Sequence, residues 1–281
     1  MPLTEDLSQR FLFEKTDIRG DIVQIRSSYR ELVANHDYPP IVQRLLGEFV
    51  VASLLLASTI KFKGRLILQV RSQGQIPLLM VEVSHTNTFR GIARVHDEVS
   101  SEEFSELFES GSLVVTIDPD QGERYQSLVP LDGNSLASCL MHYFHQSEQL
   151  ATWLLLTCDD HGAAGFLLQQ LPKQLDKSDK VRIENWDHMR ILGESLKIEE
   201  LRTLSVEQIL SRLYHDQSVR LMAEKAVSFA CTCSRQRMAS ALVSLGEAEI
   251  TDLFKDQAEV ELTCEFCNQQ FSFVRDDLEG V

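Results

Sequence analysis

Of the six cysteines in this 281-residue chain, four fall in two close pairs. Cys231 stands two positions from Cys233, and after thirty intervening residues Cys264 stands three positions from Cys267. Two thiol pairs joined by a short stretch have the spacing of a four-thiolate zinc site, because zinc takes four tetrahedral ligands and thiolate suits it well. A Cys-x-x-Cys turn puts two sulfurs on one side of an ion, and a bent Cys-x-Cys strand can supply the other two. No histidine follows His215, so a histidine ligand from the same segment is excluded. The expected cofactor is one Zn2+ per chain, held by Cys231, Cys233, Cys264 and Cys267. Such a site either folds a tail and does nothing more, or works as an oxidisable switch.

Size bears on that choice. The tail after Phe229 has about fifty residues, near the limit at which an apolar core alone gives a stable domain. Metal binding to such a segment contributes on the order of 10 kcal/mol to folding, so losing the metal should unfold the tail. Oxidation is one route to that loss. A thiolate taken to sulfenic acid becomes a poor ligand and condenses with a neighbouring thiol. Each cysteine has a partner two or three positions away, so disulfides within each pair are in reach. Arg235 and Arg237 follow Cys233 at an expected helix start, where positive charge and the helix dipole favour thiolate. As solvated surface groups the two arginines would have no such effect.

Other chemistry is sparse. Cys139 and Cys158 lie in apolar surroundings far from the cluster and read as buried, inert thiols. His142 and His145 share a helix face with Glu148, but no cysteine or second carboxylate pattern joins them, so a surface face is the better reading. The chain has no P-loop, no dinucleotide glycine fingerprint, no Gly-x-Ser-x-Gly elbow and no His-Glu-x-x-His. ATP-driven work and the common hydrolase chemistries are thereby disfavoured.

The formal charge is −15 and apolar residues make up 43% of the chain. That is ordinary globular content with an acidic excess, which repels phosphate backbones and anionic lipid. From Cys231 onward the tail carries 4 basic and 10 acidic side chains, which weighs against a zinc ribbon that binds nucleic acid. The opening MPLTEDL shows no basic start with an apolar run. The longest apolar stretch, Phe49 to Ala57, is far short of the ~20 residues a bilayer needs. A cytoplasmic protein with neither nucleic acid nor membrane as partner is expected. Its thiols would there be ligands, sensors or core residues, not a disulfide framework.

The elements that must position these residues read as α+β. Residues 10–15 and 21–26 suggest a hairpin, and 41–60 a long buried helix opened by Pro39 and Pro40. Strands are expected at 65–71, 77–84, 88–95, 113–117, 126–131, 151–158 and 164–170, with a helix at 135–146. Strands grouped apart from helices argue against regular βαβ repeats. A charged stretch at 172–180 marks a boundary, and 181–216 is helical and amphipathic. Residues 220–229 fit a strand or a helix equally well. In the tail, helices at 234–245 and 250–254 precede two strands, 259–263 and 270–275, that frame Cys264 and Cys267 as a knuckle. Three domains are expected: an N-terminal α+β core at 1–172, a helical linker at 173–229 and a C-terminal zinc and redox-switch domain at 230–281.

The cysteine segment resembles a known family, the redox-regulated heat-shock chaperones called 33 kDa chaperonins. The likeness is tightest in FACTCSRQR at 229–237, ALVSLG at 241–246 and CEFC at 264–267. Weaker family-like runs, FRGIAR at 89–94, YFHQSEQ at 143–149 and GFLLQQLP at 165–172, follow in the family's order over nearly the whole chain. The four cysteine positions show no departure; Gln236 stands where the family commonly has an acid. The resemblance implies an ATP-independent holdase that is inactive while reduced and zinc-bound. Oxidation would join Cys231 to Cys233 and Cys264 to Cys267, release zinc, unfold the switch and loosen the linker. The active form would be a homodimer that captures unfolding client proteins. The linker carries Trp186, Met189, Ile191, Leu192, Leu196, Leu210, Leu213 and Tyr214 on charged helices. Of these, Trp186, Met189, Leu192, Leu210 and Leu213 are the candidate client-binding residues. While the protein is reduced, ordinary core packing is expected for that stripe.

The competing reading is a thiol–disulfide oxidoreductase using Cys264 and Cys267. That motif normally opens a helix in a βαβ setting, whereas strand-like, charged residues surround it here.

Overall fold

The computed structural model describes residues 6–96, 99–176, 178–255 and 257–278. Of the opening MPLTEDL at 1–7, residues 1–5 lie outside that set. The chain forms a mixed α+β fold in two compact units. The larger is drawn from the chain up to Val33 and from Tyr38–Phe229; the smaller from Ala34–Asp37 and from Ala230 onward.

The larger unit opens with the hairpin β1 (Leu7–Phe13) and β2 (Ile18–Ile25), followed by the short helix α1 (Ser27–Val33) and the long helix α2 (Pro40–Thr59). Pro39 and Pro40 sit at the start of α2, where the missing N–H costs nothing. A meander follows: β3 (Gly64–Arg71), β4 (Leu78–Ser84) and β5 (Thr88–Arg94), then the one-turn α3 (Phe104–Leu107), β6 (Ser112–Pro119) and β7 (Tyr125–Pro130). The helix α4 (Leu136–Tyr143) is capped by Ser135 and ends in a π-helical turn, Phe144–Glu148, before β8 (Thr152–Asp159) and β9 (Gly162–Gln170). Three helices come next: α5 (Asp179–Glu194), α6 (Ile198–Thr203) and α7 (Val206–Tyr214). Three short strands close the unit, β10 (Val219–Leu221), β11 (Lys225–Ala226) and β12 (Ser228–Phe229).

Two sheets hold this together. The first has the order β10-β1-β2-β9-β8, with β11 also on β1; the second runs β12-β5-β4-β3-β6-β7. Helix α2 packs on strands of both sheets, so Leu46, Phe49, Val50, Val51 and Leu55 are all fully buried. Each such side chain contributes about 1.5–3 kcal/mol. In length and hydropathy α2 also matches a membrane span, but its apolar surface is spent on the core. Gly47 lets the helix approach closely, since a Cβ there would meet the Cys158 sulfur at 2.4 Å.

The two sheets differ in pattern because they differ in cover. Strand β3 alternates buried and half-buried residues, as one covered face requires. Strand β9 is buried at every position but its last, because its other face carries α5–α7. There Met189, Leu196, Leu201, Ile209, Leu210, Leu213 and Tyr214 form a second core with Phe11, Phe166 and Leu168. The residues expected to form a linker, 173–229, thus pack within the larger unit. Residues 220–229, which fitted either state, are extended and join sheet edges.

The smaller unit contains α8 (Arg235–Val243), α9 (Glu247–Leu253), the hairpin β13 (Val260–Thr263) and β14 (Gln270–Phe273), and a 3-10 turn, Arg275–Leu278. Its buried apolar core is Ala239, Leu242, Ile250, Phe273 and Leu278.

Candidate metal centre

The four sulfurs of Cys231, Cys233, Cys264 and Cys267 lie within 4.8 Å of one another. Two close separations cross between the pairs: Cys231 to Cys264 at 3.7 Å and Cys233 to Cys267 at 3.5 Å. A tetrahedron of thiolates at the usual zinc–sulfur length has edges of about 3.8 Å, so the cluster has the size to hold such an ion. All six cysteines are free thiols.

Local structure explains the cluster. Hairpin β13–β14 pairs Thr263 with Gln270, and the turn between them is closed by Cys264 N–H to Gln269 O at 2.9 Å and Asn268 N–H to Cys264 O at 2.8 Å. Asn268 takes the left-handed conformation, φ 54°, that lets so tight a turn reverse. Cys264 and Cys267 therefore project from one knuckle between strands, not from a helix start. The other pair precedes α8. Ser234 caps that helix by accepting from the Arg237 N–H, and the Arg237 guanidinium donates to the Thr232 carbonyl between the two cysteines at 2.7 Å. Arg235 pairs with Asp277 at 2.7 Å and lies 4.6 Å over the Phe273 ring. Among the described residues neither arginine donates to a sulfur; both brace the scaffold, a role that neither the thiolate-activating nor the solvated-surface expectation gave them.

Electrostatics suit a dication. Burial raises the Cys231 thiol, but the Cys233 N–H and the neighbouring thiols outweigh it and leave Cys231 below the ordinary value. Burial and neighbouring sulfur push Cys233 up, and burial also raises Cys267. Four sulfurs this close cannot all ionise alone, and a bound dication removes that restriction. Cys264 is buried, whereas the other three are half-exposed and open to a small oxidant.

Sequence reading missed a contribution from far up the chain. Ala34–Asp37 belongs to the smaller unit: Asn268 donates through its side-chain amide to the Asn35 carbonyl, and His36 hydrogen-bonds the backbone at Phe266 and Glu265. Burial lowers the His36 pKa, against those two bonds. No periodicity or motif around residue 36 signals this.

The remaining sites sort plainly. Cys139 and Cys158 are buried, and burial pushes the Cys158 thiol up to about 12. His142 is exposed and lies 3.5 Å from Asp132, while Glu148 accepts from the Tyr143 hydroxyl. Among the described residues the four cysteines form the one cluster with metal-ligand geometry. Met189, Leu210 and Leu213 are buried against the first sheet, and Trp186 and Leu192 are partly buried beside them. Ile191 stays 57% exposed.

Comparison with known proteins gives consistent results. The sequence profile of the Hsp33 protein family matches residues 6–274. A 33 kDa chaperonin of Azotobacter vinelandii is 47% identical over 276 residues, covering 97% of this chain and 93% of its own. One from Pseudomonas aeruginosa is 45% identical over 276 residues with the same coverage. The crystal structure of a 33 kDa chaperonin from Thermotoga maritima superposes with a TM-score of 0.79 over 98% of this chain and 97% of that one, at 22% identity. That likeness speaks to the fold, and the closer relatives and the profile speak to descent: the chain belongs to the Hsp33 protein family.

Proposed function

We propose that this protein is a redox-regulated, ATP-independent chaperone that holds unfolding proteins, off while its four thiolates bind zinc and on after they are oxidised. The observation that carries this reading is the meeting of four sulfurs within 4.8 Å in a unit with so small a core. Membership of a family whose relatives are named chaperonins supports it. Zinc, when bound, would keep the sulfurs as thiolates and contribute on the order of 10 kcal/mol to folding the small unit.

The residues supply the rest. Peroxide takes one sulfur of a pair to sulfenic acid, and one peroxide oxygen leaves as water. The neighbouring thiolate attacks that sulfur, the S–S bond forms, and the second oxygen leaves as water once protonated. Each pair gives up two electrons to one peroxide. With Cys231 joined to Cys233 and Cys264 to Cys267, no thiolate remains to hold the ion, and the small unit loses its main support. The helical stretch 173–229 then acts as the responsive linker. Trp186, Met189, Leu192, Leu210 and Leu213, released from their packing, offer apolar surface to a client. The acidic excess keeps such a complex soluble, and the oxidised form works as a homodimer in the cytoplasm.

The test is to count zinc and free thiols before and after peroxide and to assay, without nucleotide, suppression of aggregation of a heat-denatured client. One zinc and four peroxide-sensitive thiols are expected, with activity rising as both disappear. Equal activity in the reduced, metal-bound form would refute the switch. Disulfide exchange catalysed by Cys264 and Cys267 in a Cys231→Ser, Cys233→Ser variant would favour an oxidoreductase instead.

A further inference from the structure

The larger unit contains a cleft of about 310 Å³ that the metal centre does not use. Its walls are largely apolar, with Leu56 and Ile60 from the end of α2, Ile117 from β6, and Leu140 and Phe144 from α4 and the π-helical turn. One cation, Arg19 of β2, also lines it. Among the described residues the Arg19 guanidinium has neutral hydrogen-bond partners only: it donates to Gln169 Oε1 at 2.5 Å and reaches the Thr59 carbonyl at 3.4 Å. Its Nε is sealed from water and has no acceptor among the described residues.

Charge does not balance at this spot. Asp21, whose charge acts on Arg19, is paired with Arg10 at 3.2 Å. Arg10 also donates to the Ser58 carbonyl at the end of α2. Two guanidiniums thus share one carboxylate and one helix C-terminus. The helix end carries about half a negative charge, which leaves about half a positive charge around Arg19 before the exposed Glu148 carboxylate is counted. Burial, and then repulsion from Arg10, already lower the Arg19 pKa. A half-buried cation that shares the Asp21 carboxylate with Arg10 is under-compensated, and an anion seated in the cleft would relieve that. Gln169, 1% exposed, is locked between Arg19 and the Thr152 hydroxyl at 3.0 Å and so holds the guanidinium in place. Glu148 lines the cleft too but is exposed and engaged by the Tyr143 hydroxyl at 2.9 Å. Its charge opposes any anion in the cleft, a dianion more than a monoanion, and among the described residues it makes no ion pair with Arg19.

We propose that this cleft is a binding site for a monoanionic amphiphile, a carboxylate on an apolar body of about eight to ten carbons, with the carboxylate at Arg19 and the body along Leu56, Ile60, Ile117 and Phe144. A guanidinium matches a carboxylate in shape as well as charge. The proposal stands apart from the redox switch and does not depend on it.

The experiment is calorimetric titration of the full-length reduced protein with sodium octanoate and, separately, with octan-1-ol. Octanoate should bind saturably, one per chain, with a Kd of about 1 mM or tighter, and octanol at least about tenfold more weakly. Arg19→Gln should bring octanoate down to the affinity of octanol and leave octanol unchanged. Because Arg19 also reaches the end of α2, a second variant keeps it: Ser127→Trp, whose indole fills the cleft from β7, should abolish binding of both probes with thiol count and melting temperature retained. Octanol binding as tightly as octanoate, octanoate binding that survives both substitutions, or no saturation below about 10 mM would overturn the proposal.

Discussion

Thiols serve two opposite uses in this molecule, and surroundings decide which. Cys139 and Cys158 are packed in apolar core, where burial holds the proton on sulfur; the four clustered cysteines sit where sulfur is shared and partly open. That contrast was legible in the sequence, because spacing alone separates a pair two or three residues apart from a lone thiol in an apolar run. Asn35 and His36 were not legible, since only the folded chain brings them to the knuckle. Glu48 of α2 was missed for a similar reason: it lies on a helix whose neighbours turn out to be core on both sides. Burial raises its pKa to about 7, with Arg44 pulling the other way. The unfolded chain releases that proton near the ordinary value of 4.5. The contribution to stability is therefore full below about pH 4.5 and is lost as pH rises through about 7. Glu48→Gln should stabilise the protein by about 2 kcal/mol at pH 8 and have little effect at pH 4.5. Urea unfolding at the two pH values checks this, and an equal effect at both would contradict it.

At the scale of elements, strong periodicity and turn chemistry were readable, and pairing that depends on distant edges was not. Helix α2 announces itself through Pro39, Pro40 and an apolar run. Residues 219–229 became three short strands because β1 and β5 offered free edges, and nothing local dictates that. The charged stretch at 172–180 reads as a loose boundary yet is pinned at one end. The buried Asp17 carboxylate accepts from the backbone N–H groups of Gln174, Leu175 and Asp176, at 2.8, 2.9 and 3.1 Å. Arg182 of α5 lies 3.7 Å away. Burial raises the Asp17 pKa, but those bonds and Arg182 outweigh it, so its carboxyl is held low. Its stabilising effect is accordingly present above the unfolded pKa and lost as pH falls through the lower folded one. Asp17→Ala should strand three donors, cost about 2–4 kcal/mol and speed hydrogen exchange in α5 first. A second clasp acts at the other end of the helical layer, where the buried Tyr214 hydroxyl donates to the Met189 carbonyl at 3.0 Å. Tyr214→Phe should cost about 1 kcal/mol by the same measurement, and a neutral result would show that water can replace the bond.

Across the whole molecule the decisive contrast is between two cores. The larger unit buries α2 between two sheets and has a second cluster under α5–α7, whereas the buried cluster of the smaller unit has five apolar side chains among the described residues, with Val260 buried apart from it. A core that small does not offset the entropy of ordering some fifty residues, each costing about 1–2 kcal/mol of backbone freedom alone. Four sulfurs placed to hold one ion offer the further source of stability that the proposed switch calls for. Chelation under reducing conditions separates the loss of metal from the formation of disulfides. Amides of β13 and β14 should then exchange orders of magnitude faster, while those of β9 in the centre of the first sheet keep their protection. Both tryptophans, Trp153 and Trp186, lie in the larger unit, so their emission should hardly change on chelation. A shift at Trp186 that appears only after peroxide would mark the helical layer as responding to disulfides beyond metal loss. Exchange that rises together in β9 and β14 on chelation would mean that the two units unfold as one. In that case the metal would support the entire fold, and a switch confined to the tail would have no structural basis.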